Sequence, residues 1–96
     1  MEVKLSDLEI LLKKLILHAR QFDSEVKLKE DYYWNINAKS KFNFKEPNPD
    51  ISIGSLYDDV ECLKLVISNA NEPTLLDLER LGNVLIYISE ELLKHR

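Results

Sequence analysis

Apolar residues in the first quarter of the chain recur with the period of an α-helix. Their three- and four-residue intervals trace one stripe, made of Leu8, Leu11, Leu12, Leu15, Ala19 and Phe22, with Leu5 and Ile16 at its edge. Ser6 and Glu9 have the spacing of a capping box, in which each side chain bonds to a backbone N–H group of the first turn. We therefore predict a first helix at about residues 6–23, with this stripe packed against the rest of the domain.

A second set of apolar residues lies on the other side of this helix. Val3, Ile10 and Leu17 are spaced by seven and fall roughly opposite the main stripe. They are either scattered surface residues, which are normal on folded proteins, or an interface with a second copy of the chain. The second interpretation predicts a homo-oligomer, such as a homodimer, assembled through these three residues.

The pattern changes to the two-residue period of a β-strand after Asp31. Tyr32, Trp34 and Ile36 alternate with Tyr33 and polar residues, and aromatic side chains suit a pleated, half-buried surface. We expect Tyr32, Trp34 and Ile36 to face the helices as one strand's share of the core. Tyr33 then points the other way, where a partner could cover it.

A second strand is expected directly after the first. Phe42 and Phe44 alternate with lysine and asparagine over residues 41–45, and a tight turn at residues 39–40 would make 31–45 a hairpin. That turn lacks the Asn-Gly or Asp-Gly that hairpins prefer. Two prolines in residues 46–50 indicate a loop, and Ile51–Ile53 is a short extended piece before Gly54.

Two more helices follow, each behind a capping-box pattern. Ser55 and Asp58 precede a stripe over about residues 56–70, and Thr74 and Asp77 precede one over about residues 75–94. The short connection between these helices favours an antiparallel pair.

These elements predict an α+β fold that is mostly helical. It has three helices and a small antiparallel β-hairpin between the first and the second helix. A chain of 96 residues has the length of one domain, so residues 1–96 are expected to form a single domain.

Targeting signals are not recognisable in the sequence. The first residues carry charges at Glu2, Lys4, Asp7 and Glu9, which an apolar signal peptide would not have. The apolar stretches all fall short of the ~20 residues of a membrane span. Since Cys62 is the one cysteine, no disulfide can form within the chain, which fits a reducing compartment. We expect a cytoplasmic protein.

Charge is distributed unevenly along the chain. Residues 1–45 hold nine Lys or Arg against seven Asp or Glu, whereas residues 46–96 hold four against ten. An acidic half repels phosphate backbones and favours basic partners. The charge pattern therefore argues against nucleic-acid binding, which usually needs a concentrated basic face.

Residues that could perform catalysis are scarce. The chain has two histidines, one cysteine and two glycines, and it carries no phosphate-binding glycine loop, nucleophile elbow or His-Glu-x-x-His motif. His18 and His95 have no metal-ligand spacing to a carboxylate or to Cys62. We expect no metal, no cofactor and no enzymatic activity.

An acidic cluster, Asp58, Asp59 and Glu61, opens the second helix. It either caps the helix and is solvated, or it contacts a basic partner; its spacing matches no calcium loop. Tyr33 joins these three as a candidate partner-binding residue, because tyrosine and tryptophan are enriched at binding hot spots.

Two segments resemble a group of small bacterial proteins. They are DYYWNI at residues 31–36 and IGSLYDD at residues 53–59, followed after a further stretch by LERL at residues 78–81 of the closing helix. The resemblance covers about residues 31–92. Some similarly sized proteins of this kind are associated with toxin-immunity loci, including those of contact-dependent growth inhibition. The resemblance implies a bacterial cytoplasmic protein that binds another protein, and it carries no catalytic residues.

Two hypotheses about function follow. The first is a non-enzymatic binding protein, an immunity protein that neutralises a basic toxin domain through Asp58, Asp59, Glu61 and Tyr33. The second is a structural or regulatory homo-oligomer assembled through Val3, Ile10 and Leu17.

Overall fold

A computed structural model describes residues 1–36, 41–42 and 51–94. Within these ranges the chain forms helix α1 (Leu5–Ala19), strands β1 (Tyr32–Ile36) and β2 (Ile51–Ser55), and helices α2 (Leu56–Ile67) and α3 (Leu76–Lys94). The two strands are antiparallel and lie between the first and the second of these helices. The predicted α+β, mostly helical fold is therefore confirmed.

The hairpin uses a different second strand from the one predicted. β1 pairs with β2, so that Tyr33 lies opposite Gly54 and Trp34 lies opposite Ile53. Lys41 and Phe42 lie outside both strands, and the predicted strand at 41–45 is wrong at these positions; its remaining residues and the predicted turn at 39–40 lie outside the described residues. Alternation marked both segments as extended, but pairing depends on contacts that are distant in sequence.

Two of the three capping predictions hold. The Asp58 backbone N–H donates to Ser55 Oγ at 3.2 Å at the start of α2, and the Thr74 backbone N–H donates to Asp77 Oδ2 at 2.8 Å before α3. α1 instead begins at Leu5, after an N-cap Lys4 that makes no side-chain capping bond, so Ser6 lies inside the helix. α1 also ends at Ala19 rather than near residue 23.

The chain divides into two compact units, Met1–Lys27 with Ile88–Arg96, and Leu28–Tyr87. Among the described residues of Leu28–Tyr87, the buried apolar ones are Leu56, Val84 and Tyr87. The Tyr87 hydroxyl accepts a hydrogen bond from the Lys29 backbone N–H at 2.8 Å, which ties the segment before β1 to α3.

α1 carries its apolar residues on the surface. No residue of α1 is buried, and along the predicted core stripe Leu8, Leu11 and Leu15 are 45%, 50% and 53% exposed. The expectation that this stripe packs in the core is therefore wrong for the chain on its own. Helical spacing identified the stripe correctly, but it carries no information about what covers it.

Among the described residues, no helix is both long enough and apolar enough to cross a membrane.

Candidate functional site

Asp31 joins the start of β1 to the start of α2. Its Oδ1 atom accepts hydrogen bonds from Ser55 Oγ at 2.6 Å and from the Tyr57 backbone N–H at 2.9 Å. Its backbone carbonyl accepts from the Leu56 N–H at 2.7 Å. These bonds satisfy donors that a helix N-terminus leaves unpaired, and the helix dipole favours a carboxylate there. The segments 31–36 and 53–59 are therefore locked together through Asp31 and Ser55.

Tyr33 makes the second link between these segments. Its hydroxyl donates to Asp59 Oδ2 of α2 at 2.6 Å and accepts from Asn83 Nδ2 of α3, also at 2.6 Å. The ring lies against the backbone of Gly54, where any Cβ would overlap it. Burial of the hydroxyl, assisted by its bond to Asp59, raises the pKa of Tyr33 far above its ordinary value.

A cleft of about 340 Å³ lies beside this network, lined by β1, β2, α2 and α3. Its wall includes Asp58, Cys62, Glu79 and Arg80. The Arg80 guanidinium donates to Asp77 Oδ1 at 2.8 Å. The Thr74 N–H, together with Arg80, lowers the pKa of Asp77, and the bond to Asp77 raises that of Arg80. Beside the cleft, Tyr33 is thus bound to Asp59 and Asn83, and Arg80 is bound to Asp77.

Within the part of the chain that the structure describes, no group of three His, Cys, Asp or Glu side chains could hold a metal ion.

The opposite side of the hairpin presents large apolar side chains to solvent. Tyr32 and Trp34 are 74% and 76% exposed, and Ile53, opposite Trp34 in the register, is 66% exposed. We call these three residues the outer aromatic face. Ile36 and Ile51 extend it along the two strands and are also exposed.

The predicted orientation of β1 is therefore wrong. Tyr32, Trp34 and Ile36 point away from the helices, and the half-buried Tyr33 points towards them. Two features decide the orientation. Asp59 and Asn83 offer partners to a phenol, which a buried tyrosine needs, and Gly54 leaves room for its ring. The position of Gly54 opposite Tyr33 follows from the strand pairing, so the sequence alone held no signal for this side.

The predicted partner-binding residues are only partly brought together. Tyr33, Asp58 and Asp59 line one cleft, with Asp59 half-buried and Asp58 exposed. Glu61 is exposed on α2, and its carboxylate atom Oε1 lies 3.8 Å from Lys64 Nζ. Because Tyr33 and Asp59 bind each other, both contribute to the fold of this unit, and their role in partner binding stays a prediction.

The predicted oligomer residues are exposed, two of them on α1 and Val3 just before it. Val3, Ile10 and Leu17 are 66%, 57% and 51% exposed. This exposure leaves them accessible to another chain, and their role in assembly stays a prediction.

Sequence reasoning missed three residues of importance to this region. Trp34 and Tyr32 were assigned to the core, and Asn83 carried no recognisable motif. Among the described residues of Leu28–Tyr87, two surfaces stand out: the outer aromatic face and the part of the cleft wall formed by Asp58, Asp59 and Glu79. No family model, no curated protein and no solved structure shows a significant match to this chain.

Proposed function

We propose that this chain is a non-enzymatic protein-binding module, and that it serves in the bacterial cytoplasm as an immunity protein that neutralises a basic toxin domain. The observation that carries the proposal is the outer aromatic face, in which Tyr32 and Trp34 are about three-quarters exposed. The resemblance of residues 31–36 and 53–59 to a group of small bacterial proteins, of which some similarly sized ones are associated with toxin-immunity loci, supports the same function.

The outer aromatic face has the composition of a binding hot spot. Tyrosine and tryptophan bury 150–250 Å² each in an interface, so Tyr32 and Trp34 together offer about 300 Å². A contiguous apolar patch of that size is in the range of the largest patch on a typical monomer, which is often functional. Trp34 faces Ile53 across the hairpin, which places an aliphatic side chain beside the two rings. A partner that covered this face would gain a dry, aromatic centre.

The fold does not depend on these rings in the way that it depends on their neighbours. Asp31, Tyr33 and Ser55 bind groups inside the unit, whereas the side chains of Tyr32 and Trp34 extend into solvent. Loss of the exposed rings should therefore change binding more than stability.

The acidic residues indicate that the partner is basic. Asp58 and Glu61 are exposed in the first turns of α2, which begins directly after the strand that pairs with β1. Residues 46–96 hold ten Asp or Glu against four Lys or Arg. Such a surface attracts a basic partner and accelerates its association. Many nucleases carry a basic active surface, and covering that surface would inhibit them.

Catalysis is not proposed, and two of the groups beside the cleft, the Tyr33 hydroxyl and the Arg80 guanidinium, are engaged in structural bonds. The Tyr33 hydroxyl is held by Asp59 and Asn83, and Arg80 is held by Asp77. A general base or nucleophile needs a group that is available to a substrate.

Trp34→Ala is expected to weaken partner binding by at least about 30-fold, the loss typical of a hot-spot residue. The partner would first be captured on immobilised protein from a lysate of the source organism and identified by mass spectrometry. Its affinity for the wild type and for each variant would then be measured by calorimetric titration. Leu75→Ala is the matched control, because Leu75 is 85% exposed outside the hairpin; this variant should bind normally.

The immunity role has its own readout. The captured partner, expressed in a bacterial host, should arrest growth, and co-expression of wild type or Leu75→Ala should restore it, whereas Tyr32→Ala with Trp34→Ala should not. If the wild type and Trp34→Ala bound the partner with equal affinity, the outer aromatic face would not be the binding surface. If the partner bound through this face but did not arrest growth, the immunity role would be refuted and the binding role would stand.

Reversal of Asp58 and Glu61 to lysine is expected to slow association with a basic partner about tenfold at low salt, with little change in dissociation. Asp59 is left intact because it holds the Tyr33 hydroxyl. Stopped-flow measurements at two salt concentrations would test this, since added salt should shrink the difference. An association rate that is independent of both charge and salt would argue against electrostatic steering.

A further inference from the structure

The two exposed rings of β1 border a shallow cavity on the outer side of the hairpin. The cavity has a volume of about 190 Å³ and is lined by Tyr32, Tyr33, Trp34 and Ile53. Tyr32 and Trp34 stand two positions apart on the same strand, and Ile53 lies across the hairpin from Trp34. We call this cavity the aromatic slot.

The spacing of the two rings suits a flat group. Side chains two residues apart on a strand leave the same face about 6.8 Å apart, because each residue rises about 3.4 Å. That separation is close to twice the distance of about 3.5 Å at which carbon atoms make van der Waals contact. A planar group that enters between Tyr32 and Trp34 therefore touches both rings, and the side chain that carries it lies against Ile53.

The chemistry of the slot favours a cation. The faces of tyrosine and tryptophan rings carry the negative part of the ring quadrupole, and tryptophan attracts cations more strongly than the other aromatic residues do. Asp31 is the one charged residue within the segments 31–36 and 51–55 that form the hairpin. The strands themselves therefore supply no cation to these two rings.

Fixed negative charge lies behind the slot, on the other side of the hairpin. Asp58, Asp59 and Glu79 line the cleft there, and Arg80 of the same cleft wall is bound to Asp77. Carboxylates therefore outnumber cations behind the two strands. Their summed potential favours a positively charged group in front of the hairpin and disfavours a phosphate or a carboxylate. Because the carboxylates lie behind the strands, they attract a cation without taking its place between the rings.

We propose that the aromatic slot binds the guanidinium group of an arginine side chain, held between Tyr32 and Trp34. A guanidinium is planar, always charged and more weakly hydrated than an ammonium, so it stacks readily on aromatic faces. The aliphatic stem of the same arginine packs on Ile53. The inference rests on the proposed function for the protein that carries this arginine, and it names the side chain with which a basic partner engages the outer aromatic face.

The experiment is an NMR titration of the full chain with the N-acetyl N-methylamides of arginine, lysine, citrulline and norleucine. Citrulline keeps the shape of the arginine side chain without its charge. Trp34 is the only tryptophan of the chain, so its indole N–H signal identifies the slot directly. Arginine should bind at least about fivefold more tightly than citrulline, because each exposed ring contributes roughly two- to fivefold. It should also bind about threefold more tightly than lysine, whose ammonium is not planar and is more strongly hydrated.

Leucine variants separate the ring faces from apolar contact in general. Trp34→Leu and Tyr32→Leu each keep an apolar side chain but remove one ring, so each should lower the preference for arginine over citrulline, and the double variant should abolish it. Tyr57→Leu is the matched control, because it makes the same chemical change at a tyrosine that is 49% exposed outside the slot; its preference should equal that of the wild type. The comparison of the four probes on the wild type needs no variant, so it stands even if a substitution disturbs the hairpin.

Several results would overturn the proposal. Equal binding of arginine and citrulline would show that charge plays no part, and tighter binding of norleucine would assign the slot to an apolar side chain. Equal binding of arginine and lysine would reduce the effect to net charge, and the absence of any arginine-induced shift at Trp34 would place binding elsewhere. If the slot failed in one of these ways while Trp34→Ala still weakened the captured partner, the proposed function would stand without the arginine.

Discussion

Replacing Gly54 with valine is expected to lower the free energy of unfolding of Leu28–Tyr87 by about 3 kcal/mol. Any Cβ at this position overlaps the ring of Tyr33. The ring would have to move, and its hydroxyl would then lose Asp59 and Asn83, which lie on two different helices. Urea unfolding followed by circular dichroism measures the change.

Destabilisation by Gly54→Val would show that the clash with the Tyr33 ring outweighs the backbone preference of the strand for valine. Gly54 has no positive φ angle, and valine is a favourable strand residue. Without the ring of Tyr33, the substitution in β2 should therefore stabilise the hairpin. We expect that Gly54→Val costs much less in a Tyr33→Ala background, and that this coupling appears in a double-mutant cycle.

Gly82→Ala is the matched control for the substitution at Gly54. A Cβ at Gly82 meets no atom within 4 Å, and Gly82 lies within α3, where alanine is favoured over glycine by about 1 kcal/mol. The control should therefore stabilise the protein. If Gly54→Val were as harmless as Gly82→Ala, the packing of Tyr33 against β2 would be wrong.

Local signals in the sequence were read correctly where the physical cause is also local. Ser55 and Thr74 begin capping patterns, and the side-chain bonds at both helix starts join residues only three apart. The same pattern at Ser6 misplaced the start of α1, which begins one residue earlier at Leu5 without any side-chain cap. The first turn of α1 has no side-chain capping bond at its N-cap, so the capping pattern alone could not locate the first residue of the helix.

The pairing and orientation of β1 could not be read in the same way. Period-two alternation places Tyr32 and Trp34 on one side and Tyr33 on the other, but it does not say which side is inside. That choice depends on Gly54, 21 positions away, and on Asp59 and Asn83 still further along. Hydrophobicity alone would favour burying Trp34. Here the hydrogen-bond partners of Tyr33 determine which side of the strand faces the helices.

The candidate site illustrates the same limit. Asp58, Asp59 and Glu61 were recognised as a cluster from their adjacency, yet only Asp59 is bound to Tyr33. The outer aromatic face emerges from the pairing of residues 34 and 53, which no sequence period encodes. Surfaces built from distant segments therefore require the fold, whereas helix caps and stripes do not.

Tyr33→Phe is expected to lower the free energy of unfolding by about 1–3 kcal/mol at neutral pH, because it leaves Asp59 and Asn83 without the hydroxyl that both now bind. The ring volume is retained, so the packing against Gly54 should persist. Asn83→Ala removes one of the same bonds and should reproduce part of the loss. Thermal or urea unfolding of the three proteins provides the comparison.

The stabilising effect of Tyr33 should also depend on pH in a defined direction. Burial and the bond to Asp59 raise its pKa in the folded protein, whereas the unfolded chain releases the phenolic proton at about pH 10. Below that pH both states keep the proton, and the full contribution is present. Above it the unfolded state binds fewer protons than the folded state, so the advantage of wild type over Tyr33→Phe should fall by up to about 1.4 kcal/mol per pH unit. Since the other tyrosines are common to both proteins, the difference between them isolates Tyr33. A difference that stayed constant from pH 8 to pH 11 would show that the folded protein does not keep the Tyr33 hydroxyl buried and bound to Asp59.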